Sequence, residues 1–310
     1  VTSAQALPIR NCARSVLVAA LGSTLPLAAA PLRPDAPIEC RDCVAWNEPL
    51  EPLRIHGSTY YVGTAGLSAI LVSTEDGLVL LDGALPQSAA RIDESIRKLG
   101  FRTEDIRLIM SSHAHYDHAG GIAALQRASG AVVAVSAPSA IAFRGDPATD
   151  DPQFTLVSAR FPKVSNLRIV RDRETQRVGG AAFTPYFTPG HSPGSTTWTW
   201  QSCEGGVCVD VVYADSLNPV SADEFRFTGD ATRPSIADEF RASIRTVASL
   251  QCDILLSPHP GFFGLTDKLA RRGADAPNPF IDADACRKYA EAARERLELR
   301  IAQEARAAPN

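Results

Sequence analysis

The chain has 310 residues, 45% of them hydrophobic and 21% charged, a balance that lets a soluble protein bury a large core and excludes disorder and low complexity. Its formal charge of -4 provides no basic footprint for nucleic acid. Two counts need explaining: six histidines, most of them in motif-like positions, and an odd seven cysteines.

Arg10 and Arg14 precede an uncharged run, Ser15 to Ala30, that ends in small residues and is followed by a Pro-rich stretch. That is the pattern of a secretory signal, and the run is too short to span a bilayer comfortably. The expectation is a signal peptide over residues 1–30, one domain over 31–310, export to the periplasm, and no membrane insertion once the signal is removed. Removal would take Cys12 and leave Cys40, Cys43, Cys203, Cys208, Cys252 and Cys286, an even set suited to disulfides. A zinc ribbon at Cys40-x-x-Cys43 lacks the second such pair it needs, and Cys203 with Cys208 reads as a stapled hairpin.

Strands are expected at Thr59 to Val62, Leu67 to Ser73 and Leu78 to Asp82, with Asp76-Gly77 as the last turn. Ser88 is placed to cap a helix with Ile92, Ile96 and Leu99 at helical spacing, stopped by Gly100. Ile106 to Met110, a helix over Ile122 to Ser129, and Ala131 to Val135 complete a β-α-β-α-β centre. Phe143 to Lys163 reads as a long loop. Strands resume at Ala181 to Phe187, Ser195 to Trp200 and Val207 to Tyr213. A helix follows over Ala237 to Leu250, then a buried strand at Asp253 to Leu256. A final helix carries Tyr289, Ala293, Leu297 and Ile301 at spacing four.

The strongest signal is Ser111-Ser112-His113-Ala114-His115-Tyr116-Asp117-His118-Ala119-Gly120-Gly121, directly after the strand ending at Met110. Histidine and carboxylate are the usual ligands of hydrolytic zinc. In an extended segment His113 and His115 project to one side, and the turn through Tyr116 can aim Asp117 and His118 elsewhere. The paired glycines are expected to let the backbone turn tightly into the next helix. His191, in Thr188-Pro189-Gly190-His191-Ser192-Pro193-Gly194, and His259, in Ser257-Pro258-His259-Pro260-Gly261, also lie just past strand ends, where open α/β sheets place their sites. Asp215-Ser216 is another such loop. Five histidines and an aspartate suit two metals better than one, because a catalytic zinc usually takes three protein ligands and keeps a place for water. Two such ions can hold a shared hydroxide, so the chemistry indicated is hydrolysis. His56, beside an early strand, is read as structural or solvent-exposed.

HAHYDH, the GHSPGS loop, YADSL and the SPHPG loop together resemble the metallo-β-lactamase superfamily, specifically its subclass B3, from about Trp46 to the C-terminal helix. The resemblance implies an α/β fold, the αβ/βα sandwich of two mixed sheets flanked by helices. It implies two Zn2+ per chain, His113, His115 and His191 binding one, and Asp117, His118 and His259 the other. The implied activity is hydrolysis of the amide bond of a small-molecule β-lactam by a metal-bridging hydroxide that Asp117 helps to orient. Ser216 stands where subclass B1 has a cysteine ligand, and in the B3 arrangement that the resemblance implies this serine would support a metal-bound water. Substrate binding falls to Ser216, to Asn218 or Ser221 for the carboxylate, and to Gln153, whose other reading is a loop amide tying down backbone. Cys252 with Cys286 resembles the family disulfide and Cys203 with Cys208 a pair in some members. A Cys40 to Cys43 bond would close a tight loop. A monomer is expected. The alternatives are a glyoxalase II-like thioesterase or lactonase, in which an aspartate near Asp215 bridges both metals, and a non-catalytic periplasmic zinc-binding protein.

Overall fold

The computed structural model describes residues 1–4, 32–157, 161–273 and 276–307. The chain separates into Val1–Ala30 and Pro31–Asn310. The run proposed as a signal, with Arg10, Cys12 and Arg14, lies outside the described residues. All described helices and strands belong to the larger unit.

A one-turn helix α1 (Cys43–Trp46) leads into β1 (Leu53–His56), β2 (Thr59–Tyr61), β3 (Ile70–Thr74) and β4 (Gly77–Leu81). Next come α2 (Ala89–Lys98), β5 (Ile106–Met110), α3 (Tyr116–Ala119), α4 (Ile122–Ser129), β6 (Val132–Val135), α5 (Ala137–Phe143), α6 (Phe154–Val157) and β7 (Leu167–Ile169). These strands form a seven-stranded sheet in chain order, antiparallel from β1 to β4 and parallel from β4 to β7. The second sheet takes β8 (Gln176–Val178), β9 (Ala181–Phe187), β10 (Thr196–Glu204), β11 (Val207–Tyr213) and β12 (Ile254–Leu256). It is antiparallel except where β12 runs parallel to β11, after the crossover through α7 (Ala237–Ser249). α8 (Leu265–Ala270) and α9 (Ala285–Ala307) close the chain.

The continuous apolar runs of β3, β4 and β5 follow from burial on both faces. Ile70, Val72, Val79, Leu81, Leu108 and Met110 face one core, which they share with Phe183, Trp198, Trp200, Val211 and Tyr213 of the second sheet. Leu71, Leu78, Leu80, Ile106 and Ile109 point the other way, onto Ile92 and Ile96 of α2 and Ile122 and Leu125 of α4. α7 and α9 add Phe240, Ile244, Tyr289, Ala293 and Leu297 behind the second sheet. Two mixed sheets flanked by helices result, the αβ/βα sandwich that the resemblance implies.

Local details depart from the sequence reading. The Ser88 side chain does not cap α2; its Oγ donates to Asn47 Oδ1 (2.7 Å) and a short 3-10 turn leads into the helix. The stretch after Val135, of small residues, is helix α5, capped by Ser136 Oγ, which accepts from Ser139 N–H. The 143–163 loop contains the one-turn α6. Gly120 and Gly121 have ordinary helical φ (-56° and -82°). Their requirement is space, since a Cβ on Gly121 would strike the Gly83 carbonyl and one on Gly120 would strike Pro86. The sulfurs of Cys40 and Cys43, Cys203 and Cys208, and Cys252 and Cys286 lie at bonding distance. The second pair sits directly opposite across the β10–β11 hairpin, and the third ties the approach to β12 to the start of α9. No described helix is long and apolar enough to cross a membrane.

Candidate metal centre

The loops past β5, β9, β11 and β12 meet at one end of the sandwich. Buried Asp82, just beyond β4, anchors the first of them: Ser112 donates its N–H to Oδ1 (2.8 Å) and its hydroxyl to Oδ2 (2.7 Å), and Tyr213 OH donates to the same Oδ2 (2.7 Å). Asp82 holds a left-handed φ of 59°, a conformation kept only where the surroundings over-determine it. Burial pushes its carboxyl up to about 7 in spite of these donors. Trp198 Nε1 donates to Ser111 O (2.9 Å) and Thr196 N–H to Ser112 O (2.8 Å), so β10 of the other sheet holds the same loop.

Two groups of ligand atoms result, His113, His115 and His191 in one and Asp117, His118 and His259 in the other, each with its atoms within 4.8 Å of one another. Five of the six residues are buried and His259 is partly exposed. Three histidines are oriented from behind. His113 Nδ1 lies 2.7 Å from Asp215 Oδ1, His115 Nε2 lies 2.9 Å from Asp151 Oδ2, and His191 Nδ1 lies 2.8 Å from the Asn218 carbonyl. A carboxylate or carbonyl can only accept, so each of these nitrogens carries the hydrogen, and the opposite nitrogen turns a lone pair into the site. In the second group Asp117 Oδ2 sits 3.3 Å from His118 Nε2 and 3.4 Å from His259 Nε2.

Electrostatics keep the lone pairs of His113, His118 and His191 free, and His115 is the exception. Burial, then the neighbouring imidazoles, hold His113 well below the ordinary histidine value and His191 at about 3; burial also lowers His118. His115 goes up, because Asp151 outweighs the burial that opposes its charge. Asp117 is held well below the carboxylate range by His118 and His259, although burial acts against this. Burial raises Asp215.

The residues fit a metal on their own showing. His113 Nε2 and the ring nitrogens of His118 are buried without a hydrogen-bond partner, a costly state that an ion would relieve by taking one lone pair from each ring. Imidazole nitrogen with a single carboxylate oxygen is a donor set for zinc. The six cysteines among the described residues are paired among themselves and take no part.

The centre opens into a cleft of about 580 Å³. Trp46, Val220 and Phe262 give it apolar walls, and Gln153, Ser216 and Asn218 line it with polar groups. The Trp46 ring packs 5.4 Å from that of His259. The Gln153 amide reaches 3.3 Å from His191 Nε2 instead of only tying down backbone. Ser221 departs from expectation: its hydroxyl bonds the Ala222 and Phe225 carbonyls and accepts from Arg300, and it does not line the cleft. That leaves Asn218 as the cleft-lining residue of the two candidates. His56 lies apart, with Nδ1 3.7 Å from Glu204.

Sequence reasoning missed Asp151 and Tyr289. The Asp151 carboxylate holds His115 and also accepts the Gln153 N–H (2.8 Å), so one residue sets a ligand and a cleft wall. Tyr289 OH donates to Asp215 O (2.8 Å) and accepts from Leu217 N–H (2.9 Å), fixing the loop beyond β11 from α9. The Asp-Pro turn hinted at Asp151; a hydroxyl within an apolar helical stripe gave no signal for Tyr289.

A family model described as the metallo-beta-lactamase superfamily matches residues 63–259. MEM-A1, a subclass B3 metallo-beta-lactamase isolated from a soil metagenome library, is 45% identical with a TM-score of 0.82, over 85% of this chain and 100% of that one. BJP-1, a subclass B3 metallo-beta-lactamase of Bradyrhizobium japonicum, is 32% identical with a TM-score of 0.76, over 84% and 97%. An N-acyl homoserine lactonase of Bacillus cereus is 26% identical over 182 residues, 51% of this chain and 68% of that protein.

Proposed function

The chain belongs to the metallo-β-lactamase superfamily, and on that footing we propose that its centre hydrolyses the amide bond of β-lactams as a subclass B3 zinc enzyme. The observation that carries this reading is the convergence of the two ligand groups on one open cleft, in a chain 45% identical to a B3 enzyme over nearly the whole sandwich. One zinc ion is assigned to each group.

Bound zinc would supply Lewis acidity, acidifying water towards neutral pH and taking up negative charge as the ring opens. The protein's own residues do the rest. Asp215, Asp151 and the Asn218 carbonyl hold three imidazoles in the ligating tautomer. Ionised Asp117 is both a ligand and the carboxylate placed to orient the attacking water. Asn218 offers a hydrogen bond to a substrate carboxylate, Gln153 offers its amide, and Trp46 and Phe262 pack on the substrate's apolar faces and exclude water.

The lactonase and thioesterase readings call for an aspartate shared by both metals. Asp215, the residue nearest that role in sequence, is engaged behind His113 at Nδ1 and belongs to neither ligand group. Export to the periplasm is part of the same proposal, and three cysteine pairs at bonding distance suit an oxidising compartment. Turnover of a carbapenem, a thioester and an acyl-homoserine lactone by one preparation tests the proposal. The carbapenem is expected to be the preferred substrate, and a preference for either of the others would refute the assignment.

A further inference from the structure

The cleft must receive a carboxylate-bearing substrate if the proposed function holds, and this inference rests on that reading. Its wall carries one permanently charged cation, Arg41. Arg41 sits inside the four-residue loop closed by Cys40 and Cys43, directly before α1. The loop is not free to drift. Cys43 is buried in the core, Trp46 N–H bonds Asp42 O (2.8 Å), and Trp46 O accepts from Thr64 Oγ1 (2.6 Å). Upstream, Ile38 exchanges two hydrogen bonds with the Gln87 side chain (3.1 and 2.9 Å). Trp46 in turn packs on His259, so the loop is held in register with the second ligand group.

Asp42 accepts from Arg41 Nε and Nη2, and these bonds orient the fork without covering it, since the Arg41 side chain remains 90% exposed. Nη1 takes no part in them. An arginine steered in this way presents a planar donor edge suited to a carboxylate. We infer that Arg41, held over the cleft mouth by the Cys40–Cys43 loop, is a specificity residue that receives a carboxylate of the substrate. That carboxylate is either the one on the fused ring or a second one in the acyl side chain.

The test compares a β-lactam acid with its methyl ester, and with an analogue carrying an extra side-chain carboxylate, across Arg41→Ala, Arg41→Glu and Asp42→Asn. Arg41→Ala is expected to raise the acid-to-ester ratio of KM about threefold, Arg41→Glu further, and Asp42→Asn to lower it, with the effect fading in high salt. A rise for both acids assigns Arg41 to the ring carboxylate; a rise confined to the dianionic analogue assigns it to the side chain. Equal changes for acid and ester, or no change, would overturn the inference. Calorimetric binding of the ring-opened product to the zinc-loaded protein should weaken in parallel. Replacing both Cys40 and Cys43 by Ser should raise the ratio in the parent and leave it unmoved in Arg41→Ala; an equal rise in both backgrounds would show that the bridge does not act through Arg41. A parent protein that opens no β-lactam at all would instead refute the proposed function.

Discussion

The carboxylate of Asp215 lies 2.7 Å from Nδ1 of His113, both side chains wholly buried, so the strand end of the second sheet fixes the ring orientation of a ligand carried by the first. This bond joins the two sheets at the floor of the site, beside those that Tyr213, Trp198 and Thr196 make to the first sheet. Asp215→Ala is expected to weaken zinc binding by roughly 10- to 100-fold, the usual cost of losing a partner behind a metal-bound histidine. Competition with a chromophoric chelator reads this directly, and unchanged affinity would mean that Asp215 does not orient His113.

Tyr289→Phe tests how far α9 supports the site. The variant keeps the ring in its core and removes only the hydroxyl, leaving the Asp215 carbonyl and the Leu217 N–H without this partner. A loss of about 1–2 kcal/mol in urea unfolding is expected, as for a buried hydrogen-bonding group left unsatisfied. Stability equal to that of the parent would show the loop is held by other means.

Acid should unfold the metal-free protein early. His113, His118 and His191 have folded-state values below the ordinary 6.5, His191 at about 3. The unfolded chain therefore takes up these protons first as pH falls, so the stability from keeping the rings neutral is present above pH 6.5 and is lost from there down towards 3. Each such ring can contribute a slope of up to about 1.4 kcal/mol per pH unit. His115, raised by Asp151, acts in the opposite sense. Urea midpoints of the metal-free protein should drop from pH 7 to pH 5, less so in His191→Asn; midpoints that rise would contradict the assignment of neutral imidazoles.

The ligands were legible because metal chemistry restricts residue type, and because loops past strand ends converge whatever the details of the sheets. His113, His191 and His259 come from three distant loops, yet each follows an apolar strand that the sequence displays openly. The partners behind them were not legible in the same way. Asp151 sits in a loop without regular structure, and Tyr289 looks like any core aromatic until its hydroxyl is placed. Short elements such as β7 and β8, three residues each, carry too little periodicity to register. Gly121 was recognised as necessary for the wrong reason: its φ is ordinary, and the constraint is the Gly83 carbonyl pressed against its Cα.

The central claim is that both ligand groups hold zinc and that β-lactam opening depends on it. Protein stripped by a chelator and titrated with Zn2+ should show no carbapenem hydrolysis when metal-free. Bound zinc should reach two ions per chain, with activity returning as they load. Hydrolysis at the original rate in the stripped protein, or saturation at one ion with the Asp117, His118 and His259 group left empty, would contradict the account.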